Sequence, residues 1–510
     1  MIRRSIVEQS SHNLIDPLLE HARTRPDEVF LRGPLSEPRL ELTWAQLAGL
    51  IAPRARELAA LYAQGERVIL IAPTTAEFVI EYYAAQAAGL TVVAVNPLST
   101  PRELAYYIAD SGASAIHAHP ATAEAGETAA REAGIPFAAL TTVGAESVAA
   151  AAREDLGALS PARLPAEHVA TLLYTSGTTG RPKGAMLTVR NLLDSGRNGV
   201  EASGLTTDDR SGTALPLFHV FGLASVLICA VAAGGQLTLL PRFDAVELMR
   251  VMDTDRLTLV AGVPTMWNAI THAPEGEYDF SSLRFALSGG ASIAVGLMRR
   301  FEERFGARIA EGYGLTETTA QATLNRWDGV IKPGTVGTDL PNIETKIVAL
   351  DGTDADVDEV GEVCVRGSIV MAGYWNRPEA TAEAIDADGW FRTGDLGSKD
   401  ADGYLSIVDR LKEMIIHGGY NVYPREIEEV LYEHPGVLEA AVIGSPDEHY
   451  GQIVAAAITP MPGVELTAAE IEAFCRERLS AYKIPRIIRF LEALPKGATG
   501  KIQKREIALD

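Results

Sequence analysis

The alternation of apolar runs and amphipathic stretches in residues 66–110 is the feature that most constrains the fold. The runs ERVILIA and TVVAV have the length and composition of buried strands. A helical pattern follows each run: the first opens with a Thr-x-x-Glu capping box (Thr74 to Glu77) and stops at Gly89, and the second starts at Thr100. Strand, helix, strand and helix at this spacing predict right-handed crossovers and a mostly parallel sheet.

The chain of 510 residues is too long for a single core. The pattern of predicted strands and helices also changes at two points along the sequence. From Gly334 onward, short strands with glycine turns predict a β-rich subdomain. After VDRLKEM, the segment YPREIEEVLYEHPGVLEAAVIG predicts a helix entered through Pro424 and then a strand. The expected fold is α/β, with a large N-terminal domain (1–408) of mostly parallel sheets flanked by helices, a boundary at 409–412, and a small α+β C-terminal domain (413–510).

Composition limits the partners and the compartment. A formal net charge of −22 argues against nucleic acid or an anionic membrane as partner. Three widely spaced cysteines in apolar surroundings indicate reduced, buried thiols, and MIRRSIVEQS lacks the apolar core of a secretory signal. We therefore expect a cytoplasmic location. The uncharged segment 214–241 is interrupted by His219, Gly234 and Gln236, so it predicts a buried helix and a core strand rather than a transmembrane span.

The stretch TLLYTSGTTGRPKGAMLT (171–188) has the chemistry of an anion cradle. Glycines allow backbone amides to face an oxyanion, hydroxyls add donors and a lysine adds charge. The spacing is not that of a Walker loop, because the fifth residue after Gly177 is Pro182 and the fifth after Gly180 is Ala185. A GTPase or kinase is therefore disfavoured, and an ordinary surface loop is the alternative. The expected phosphate-binding residues are Thr175, Ser176, Gly177, Thr178, Thr179, Gly180 and Lys183.

Two further motifs carry groups that suit a nucleotide. In EGYGLTET, glycines around Tyr313 permit close approach to a flat base, Thr316 can donate to a phosphate and Glu317 can hold Mg²⁺. The alternative is a turn followed by a capped helix start. In WFRTGDLG, Asp395 can accept two hydrogen bonds from vicinal ribose hydroxyls, although aspartate in a glycine turn is commonly turn chemistry alone.

Six motifs occur in one order along the chain: YTSGTTGRPKG, PLFHVFG, EGYGLTET, WFRTGDLG, VDRLKEMIIHGGYNVYPREIE and PKGATGK. With them, the chain from about Leu42 to Lys501 resembles the adenylate-forming superfamily of acyl-CoA synthetases, which includes firefly luciferase and the adenylation domains of peptide synthetases. The resemblance implies a carboxylic acid–CoA ligase that uses ATP, Mg²⁺ and CoA and forms an acyl-adenylate. A catalytically dead relative is disfavoured, because Lys501, Glu317, Asp395 and Thr178 are all present.

The resemblance also implies roles for single residues. Lys501 would act between the carboxylate and the α-phosphate, His219 would gate the path of the thiol, Thr316 would meet the α-phosphate, and Glu317 with Thr178 would bind the metal. The small domain would rotate about Lys412, bringing a glycine loop to the pantetheine arm, and Arg242 would contact a CoA phosphate. The remaining nucleotide- and CoA-binding residues expected are Gly290, Glu311, Gly312, Tyr313, Gly314, Asp395, Arg410, Gly418 and Gly419.

The expected acyl pocket is small and apolar, and it consists of Phe218, Val220, Phe221, Gly289 and Ala291. It suits a medium- or long-chain fatty acid first and an aryl or cinnamic-type acid second. An amino acid is disfavoured, because PLFHVFGL lacks the aspartate that anchors an amino group in peptide-synthetase domains. No insertion follows the hinge region, which favours CoA over an acyl carrier protein as acceptor. Oligomeric state, monomer or homodimer, is left open.

Overall fold

The computed structural model describes residues 13–175, 181–349, 351–447, 449–497 and 500–509. In chain order its strands are β1 (Val29–Arg32), β2 (Glu41–Thr43), β3 (Arg67–Ile71), β4 (Thr91–Ala94), β5 (Ala115–Ala118), β6 (Phe137–Ala139), β7 (Val169–Thr175), β8 (Lys183–Thr188), β9 (Arg210–Thr213), β10 (Gln236–Leu239), β11 (Leu259–Gly262), β12 (Phe285–Ser288), β13 (Arg308–Tyr313), β14 (Thr323–Leu324), β15 (Thr338–Asp339), β16 (Ile343–Val348), β17 (Gly361–Gly367), β18 (Phe391–Lys399), β19 (Leu405–Arg410), β20 (Ile415–His417), β21 (Tyr420–Val422), β22 (Val437–Asp447), β23 (Gly451–Pro460) and β24 (Ile487–Phe490).

The α-helices are α1 (Asp16–Thr24), α2 (Trp44–Leu61), α3 (Ala76–Ala88), α4 (Pro101–Ser111), α5 (Ala123–Ala133), α6 (Ala145–Ala151), α7 (Val189–Ser203), α8 (Cys229–Ala233), α9 (Ala245–Thr254), α10 (Pro264–His272), α11 (Val295–Phe305), α12 (Pro378–Ala384), α13 (Pro424–Tyr432) and α14 (Ala468–Arg476). A π-helix, Phe221–Ile228, runs directly into α8.

The predicted strand–helix alternation is confirmed and builds a sheet of order β6-β5-β3-β4-β7-β8. Its neighbouring strands are parallel, except that β7 and β8 form an antiparallel hairpin. Strand β4 is buried along its whole length, as expected for a parallel sheet covered by helices on both faces. The two strands of this hairpin, which end and begin at Thr175 and Lys183, flank the predicted phosphate-binding residues in sequence.

A second, larger sheet has the order β15-β14-β13-β12-β11-β9-β10-β1-β2. The strands from β13 to β1 are parallel to their neighbours, and antiparallel strands complete both edges. Strands β12 and β13 are adjacent, with Ser288 opposite Glu311. Since ligands bind at the carboxyl ends of the strands in open parallel sheets, the loops after β12 and β13 are where a site is expected.

The β-rich subdomain and the C-terminal α+β unit are confirmed as well. Strands β16 to β19 form an antiparallel sheet in sequence order, and β20 to β24 form a separate sheet. Pro424 begins α13, and strand β22 follows, as predicted. The largest buried apolar cluster runs from Leu14 to Leu405, and a second one runs from Ile415 to Ile484. The domain limits 1–408, 409–412 and 413–510 stay a prediction.

The capping box predicted at the start of α3 is wrong, because tertiary partners take both side chains. The Thr74 hydroxyl donates to the Leu215 carbonyl at 3.0 Å, and Glu77 Oε1 accepts from the Val143 amide at 3.0 Å. The helix starts after Thr75 without a side-chain cap. Its predicted end is confirmed, since Gly89 is left-handed with a φ of +79°.

The predicted start of α4 is confirmed. The Thr100 hydroxyl accepts from the Glu103 amide at 3.3 Å, and the Glu103 carboxylate accepts from the Thr100 amide at 2.7 Å. Pro101 occupies the first helical position, where its missing N–H has no cost.

Most of the uncharged segment 214–241 is buried, as predicted. It folds into the π-helix and α8, turns at Gly234 with a φ of +74°, and continues as β10. The three cysteines are buried free thiols. Among the helices that the structure describes, none is long and apolar enough to cross a membrane.

Candidate functional site

The turn after β12 brings the predicted pocket and the predicted catalytic lysine together. A Cβ on Gly289 would lie 3.3 Å from the ring of Phe221, and a Cβ on Gly290 would lie 2.8 Å from Cε of Lys501. Gly290 also has a φ of +81°. Glycine is therefore required at 290 both by the backbone and by the space that the lysine fills.

The C-terminal loop that carries Lys501 is hydrogen-bonded to the start of α10, the helix that follows β11 of the larger sheet. The Thr265 hydroxyl, at the start of α10, donates to the Gly500 carbonyl at 3.0 Å. Burial and the nearby positive charge of Arg410 lower the pKa of Lys501 to about 8, while Asp395 acts in the opposite direction. The ammonium group is thus charged at neutral pH but close to losing its proton.

His219 is positioned by the first turn of the π-helix. Its Nδ1 accepts from the Phe221 amide at 3.3 Å, so the neutral ring carries its proton on Nε2. Burial, followed by the charge of Lys501, lowers the pKa of His219 to about 3. A ring that stays uncharged near neutral pH fits a gate better than a proton shuttle.

The predicted adenine and ribose residues are in direct contact. The Tyr313 hydroxyl donates to Asp395 Oδ2 at 2.7 Å, and Arg410 Nε lies 3.2 Å from Asp395 Oδ1. Strand pairing places Asp395 opposite Arg410, so the β18–β19 register fixes this ion pair. The structure brings these three residues, from three separate motifs, to one place.

The loop after β13 turns back sharply on itself. A Cβ on Gly314 would lie 1.9 Å from the Ala320 carbonyl oxygen, and one on Gly312 would lie 3.0 Å from Leu324. Thr319 and Ala320 have φ of +48° and +83°. Left-handed conformations are costly for residues with a Cβ, and such strain is concentrated at functional sites.

Glu311 lies beneath the turn after β12 with its carboxyl group buried. Its Oε1 accepts from the Ile293 amide at 3.3 Å, whereas Oε2 has no hydrogen-bond partner within the described ranges. Burial raises the pKa of Glu311 to about 7. The hydrogen bond from Ile293 links Glu311, on β13, to the segment that follows the Gly289–Gly290 turn.

Glu317 is held at the phosphate-loop hairpin. Its Oε1 accepts from the Thr175 hydroxyl at 3.2 Å and from the Tyr374 hydroxyl at 2.9 Å. Thr175 ends β7 opposite Lys183, which begins β8, and Lys183 Nζ lies 5.0 Å from the centre of the Tyr374 ring. Thr316 precedes Glu317 in the same 3₁₀ turn and is partly exposed. The predicted residues Ser176, Gly177, Thr178, Thr179 and Gly180 lie outside the described residues.

Of the other predicted residues, Lys412 is close enough to Asp395 for its charge to act against the raised pKa of that carboxyl. Gly418 and Gly419, with φ of +57° and +88°, form the two-residue turn between β20 and β21, which requires a positive φ at both positions. Lys412 is exposed after β19, and Arg242 is exposed between β10 and α9. Of the remaining pocket residues, Phe218 is half-buried, Val220 is buried and Ala291 is exposed.

Family models match both parts of the chain. Residues 18–375 match the AMP-binding enzyme model, and residues 426–501 match the AMP-binding enzyme C-terminal domain. The chain belongs to the AMP-binding enzyme family. The expected class, an AMP-forming acyl-CoA synthetase of the adenylate-forming superfamily, is confirmed.

Relatives of this AMP-binding enzyme are similar along nearly their whole length. A feruloyl-CoA synthase of Amycolatopsis is 39% identical over 91% of this chain and 93% of the relative. A long-chain-fatty-acid–CoA ligase of Bacillus subtilis is 36% identical over 87% of this chain and 85% of the relative. The crystal structure of ATP-bound MatB from Rhodopseudomonas palustris is 31% identical, covers 97% of this chain and 98% of its own, and has a TM-score of 0.88.

The donor set of this AMP-binding enzyme fits Mg²⁺ bound mainly through a substrate. In the described part of the chain, no group of three or more His, Cys, Asp or Glu side chains could hold a metal ion by itself. Glu317 is a single carboxylate, 8% exposed, with Oε1 already hydrogen-bonded. One carboxylate together with phosphate oxygens and water is a typical magnesium environment.

Two residues of the site region were missed by sequence reasoning. The sequence indicates little about Tyr374, since an aromatic residue after a glycine, as in MAGYW, is common in and beside β-strands. The second, Arg425, was not among the expected site residues, and its side chain is only 12% exposed. Its amide donates to Asp409 Oδ2 at 3.0 Å and its guanidinium contacts the Ile407 carbonyl, so it ties α13 to β19.

Proposed function

We propose that this AMP-binding enzyme ligates a fatty acid to CoA at the carboxyl ends of β12 and β13, in two half-reactions that share one site. The overall reaction is acid + ATP + CoA to acyl-CoA + AMP + pyrophosphate. The position of Lys501 over Gly290, within the influence of Asp395 and Arg410, carries the proposal. A cation seated there, beside residues that suit a ribose, can serve a carboxylate and an α-phosphate together.

In the first half-reaction, a carboxylate oxygen of the acid attacks the α-phosphorus of ATP. The bond from that phosphorus to its bridging oxygen breaks, and pyrophosphate leaves with the electron pair. Two anions must approach, so the ammonium group of Lys501 stabilises the charge that develops between them. Thr316 and Lys183 with residues 175–180 bind the phosphates. Glu317 and Thr178 would hold Mg²⁺, which would supply positive charge against the phosphate oxygens.

The nucleoside is bound by the motifs around β13 and β18. Asp395 accepts from the ribose hydroxyls with help from Arg410, and Tyr313 lies against the adenine. Gly312 and Gly314 let the backbone approach the base. Gly290 and Glu311 maintain the conformation of the turn after β12, next to the base.

In the second half-reaction, the CoA sulfur attacks the acyl carbonyl carbon, and AMP leaves with the former carboxylate oxygen. The thiol proton is assigned to solvent, because burial lowers the pKa of His219 and leaves its ring a weak base. Between the two half-reactions, the C-terminal domain (413–510) rotates about 409–412, with Lys412 as the hinge. The rotation moves Lys501 out of the site and brings the Gly418–Gly419 turn to the pantetheine arm of CoA. Arg242, which is exposed, pairs with a CoA phosphate.

The acid is proposed to be a medium- or long-chain fatty acid. The π-helix that begins with Phe221 is buried and apolar throughout, apart from Ser225. The ring of Phe221 on Gly289 forms an apolar wall next to the reacting carboxylate. A dicarboxylate would need a second buried cation, whereas the cation found at this turn, Lys501, is needed for the phosphate.

An aryl acid is the second candidate. Its specific support is the flat surface that Phe221 makes with the glycine turn, against which a planar ring can stack. The feruloyl-CoA synthase relative agrees with this choice. An acyl carrier protein presents the same pantetheine thiol as CoA and is the alternative acceptor.

The test is product analysis by mass spectrometry with Mg·ATP and a panel of fatty, aryl and dicarboxylic acids, with and without CoA. We expect acyl-CoA and AMP with fatty acids. Acyl-adenylate without thioester would contradict CoA as acceptor, and no adenylate with any acid would contradict the proposal. Lys501→Ala should lower adenylate formation by at least about 100-fold. Lys346→Ala, a partly exposed lysine of β16, is the control and should have no effect.

A further inference from the structure

We propose that Tyr374 is a positioning residue that fixes the Glu317 carboxylate relative to the phosphate loop and so sets the affinity for the divalent cation. The inference rests on the proposed function, in which Glu317 and the loop hold Mg²⁺ and ATP. Tyr374 lies outside the six motifs quoted above. It joins Glu317 to one flank of the loop by its side chain.

The hydrogen bonds to Glu317 act on one oxygen only. Oε1 accepts from the Tyr374 hydroxyl at 2.9 Å and from the Thr175 hydroxyl at 3.2 Å. Within the described ranges, Oε2 makes no hydrogen bond or ion pair. A carboxylate that is held through one oxygen presents the other in a fixed direction, which suits a ligand that binds a cation through a single oxygen.

The ring of Tyr374 contacts the far flank of the same loop. Lys183 Nζ lies 5.0 Å from the ring centre, within the range of a cation–π interaction. Lys183 pairs with Thr175 across the hairpin. Tyr374 therefore contacts Glu317 through its hydroxyl and Lys183 through its face, and couples a carboxylate to a cation that are both assigned to ATP.

The backbone around Tyr374 makes this position rigid. Tyr374 forms a β-bridge with Ala185, and the amide that follows it donates to the Gly184 carbonyl at 2.8 Å. The segment 371–375 thus runs antiparallel alongside β8 and is hydrogen-bonded to it. Its first residue, Met371, donates from its amide to the carbonyl of Glu317 at 2.9 Å. One segment therefore holds Glu317 by both backbone and side chain.

Removing the hydroxyl should weaken cation binding without blocking chemistry. In Tyr374→Phe, we expect the apparent affinity for the cation to fall about 10-fold, the typical effect of losing a residue that orients a metal ligand. At saturating Mg²⁺, kcat should change by less than about 2-fold, and the KM for the acid should not change. Tyr374→Leu, which also lacks the ring, should raise the KM for ATP in addition.

The experiment measures Mn²⁺ binding directly by electron paramagnetic resonance, in the presence of α,β-methylene-ATP, which cannot be cleaved at the α-phosphorus. Wild type, Tyr374→Phe and the control Tyr404→Phe are compared. Tyr404, just before β19, donates to the Val330 carbonyl in the loop between β14 and β15, so its loss should leave the affinity unchanged. The same variants are assayed for adenylate formation over a range of Mg²⁺ concentrations.

The outcomes separate the two proposals. Weaker Mn²⁺ binding in Tyr374→Phe alone, with kcat recovered at high Mg²⁺, would support the inference. Equal Mn²⁺ affinity in Tyr374→Phe and wild type would overturn it while adenylate formation by wild type still stands. A wild type that forms no adenylate would defeat the proposed function itself. If Tyr374→Phe does not fold, Tyr374→Met, which keeps apolar bulk without the hydroxyl, takes its place.

Discussion

The Tyr313 hydroxyl donates to Asp395 Oδ2 at 2.7 Å across 82 residues of sequence. This hydrogen bond joins β13 of the large parallel sheet to β18 of the antiparallel sheet. Burial raises the pKa of Asp395, and the charge of Arg410 and the Tyr313 hydroxyl both act against that rise. The proposed adenine contact and ribose contact are therefore one coupled unit.

Tyr313→Phe should weaken ATP binding while it keeps the ring. A hydrogen bond to a charged group contributes about 1.5–3 kcal/mol, so an increase in the Kd for ATP of about 10-fold or more is expected. Isothermal titration calorimetry measures it. Tyr404→Phe, which removes a hydroxyl far from the nucleotide residues, is the control. An unchanged Kd would show that Asp395 keeps its position without Tyr313.

Adenylation should depend on the charge of Lys501. The lowered pKa of about 8 means that the ammonium form is complete well below pH 8 and is lost as the pH rises through 8. The value of kcat/KM for ATP, which reports the free enzyme, should therefore fall about tenfold per pH unit above that pH. Pyrophosphate exchange between pH 6.5 and 9.5 measures this. In Lys501→Arg, which stays charged, the same falling limb would contradict the assignment.

Gly290→Ala should impair adenylation more than thioester formation. The new Cβ would lie 2.8 Å from Cε of Lys501, so the lysine would be pushed out of its seat. Gly306→Ala is a matched control, because Gly306 has a similar φ of +68° but nothing within 4 Å of its Cβ position. Both variants have the left-handed strain of about 1–2 kcal/mol.

The two half-reactions are assayed separately for these variants, the second with synthetic acyl-adenylate and CoA. We expect Gly306→Ala to keep both rates. Equal loss of both half-reactions in Gly290→Ala would argue against displacement of Lys501.

Glu311 should make stability fall between mildly acidic and neutral pH. Its pKa is raised from 4.5 to about 7, so its favourable neutral form is complete below pH 4.5 and is lost as pH rises through 7. Glu311→Gln should remove this dependence and gain stability relative to wild type at pH 8, by at most about 3 kcal/mol. Urea unfolding at pH 5 and pH 8 measures it, and the same difference at both pH values would contradict the raised pKa.

Local signals predicted the elements whose determinants are themselves local. The turn at Gly89 and the helix start at Thr100 depend on neighbours within four residues, and both were predicted. The box at Thr74 and Glu77 has the same local pattern but failed. Partners more than sixty residues away, the Val143 amide and the Leu215 carbonyl, took those side chains instead.

In the candidate site, too, the residues with local sequence signals were predicted and those that depend on distant partners were missed. The motifs named most of its residues, because glycine turns, hydroxyls and a charged lysine are visible in any single stretch of sequence. Tyr374 and Arg425 were missed, since a tyrosine after glycine and an arginine at a helix start look ordinary until the Glu317 carboxylate and Asp409 lie beside them.

The sequence by itself determined the order of strands and helices, the apolar character of 214–241 and the membership in a family of adenylating enzymes. Only the tertiary structure decided that Lys501 lies on Gly290, that Tyr313 bonds to Asp395 and that Tyr374 holds Glu317. The reason is physical. Periodicity and turn chemistry act over a few residues, whereas the pKa of a lysine or the direction of a carboxylate depends on burial and charges that the fold brings from distant parts of the chain.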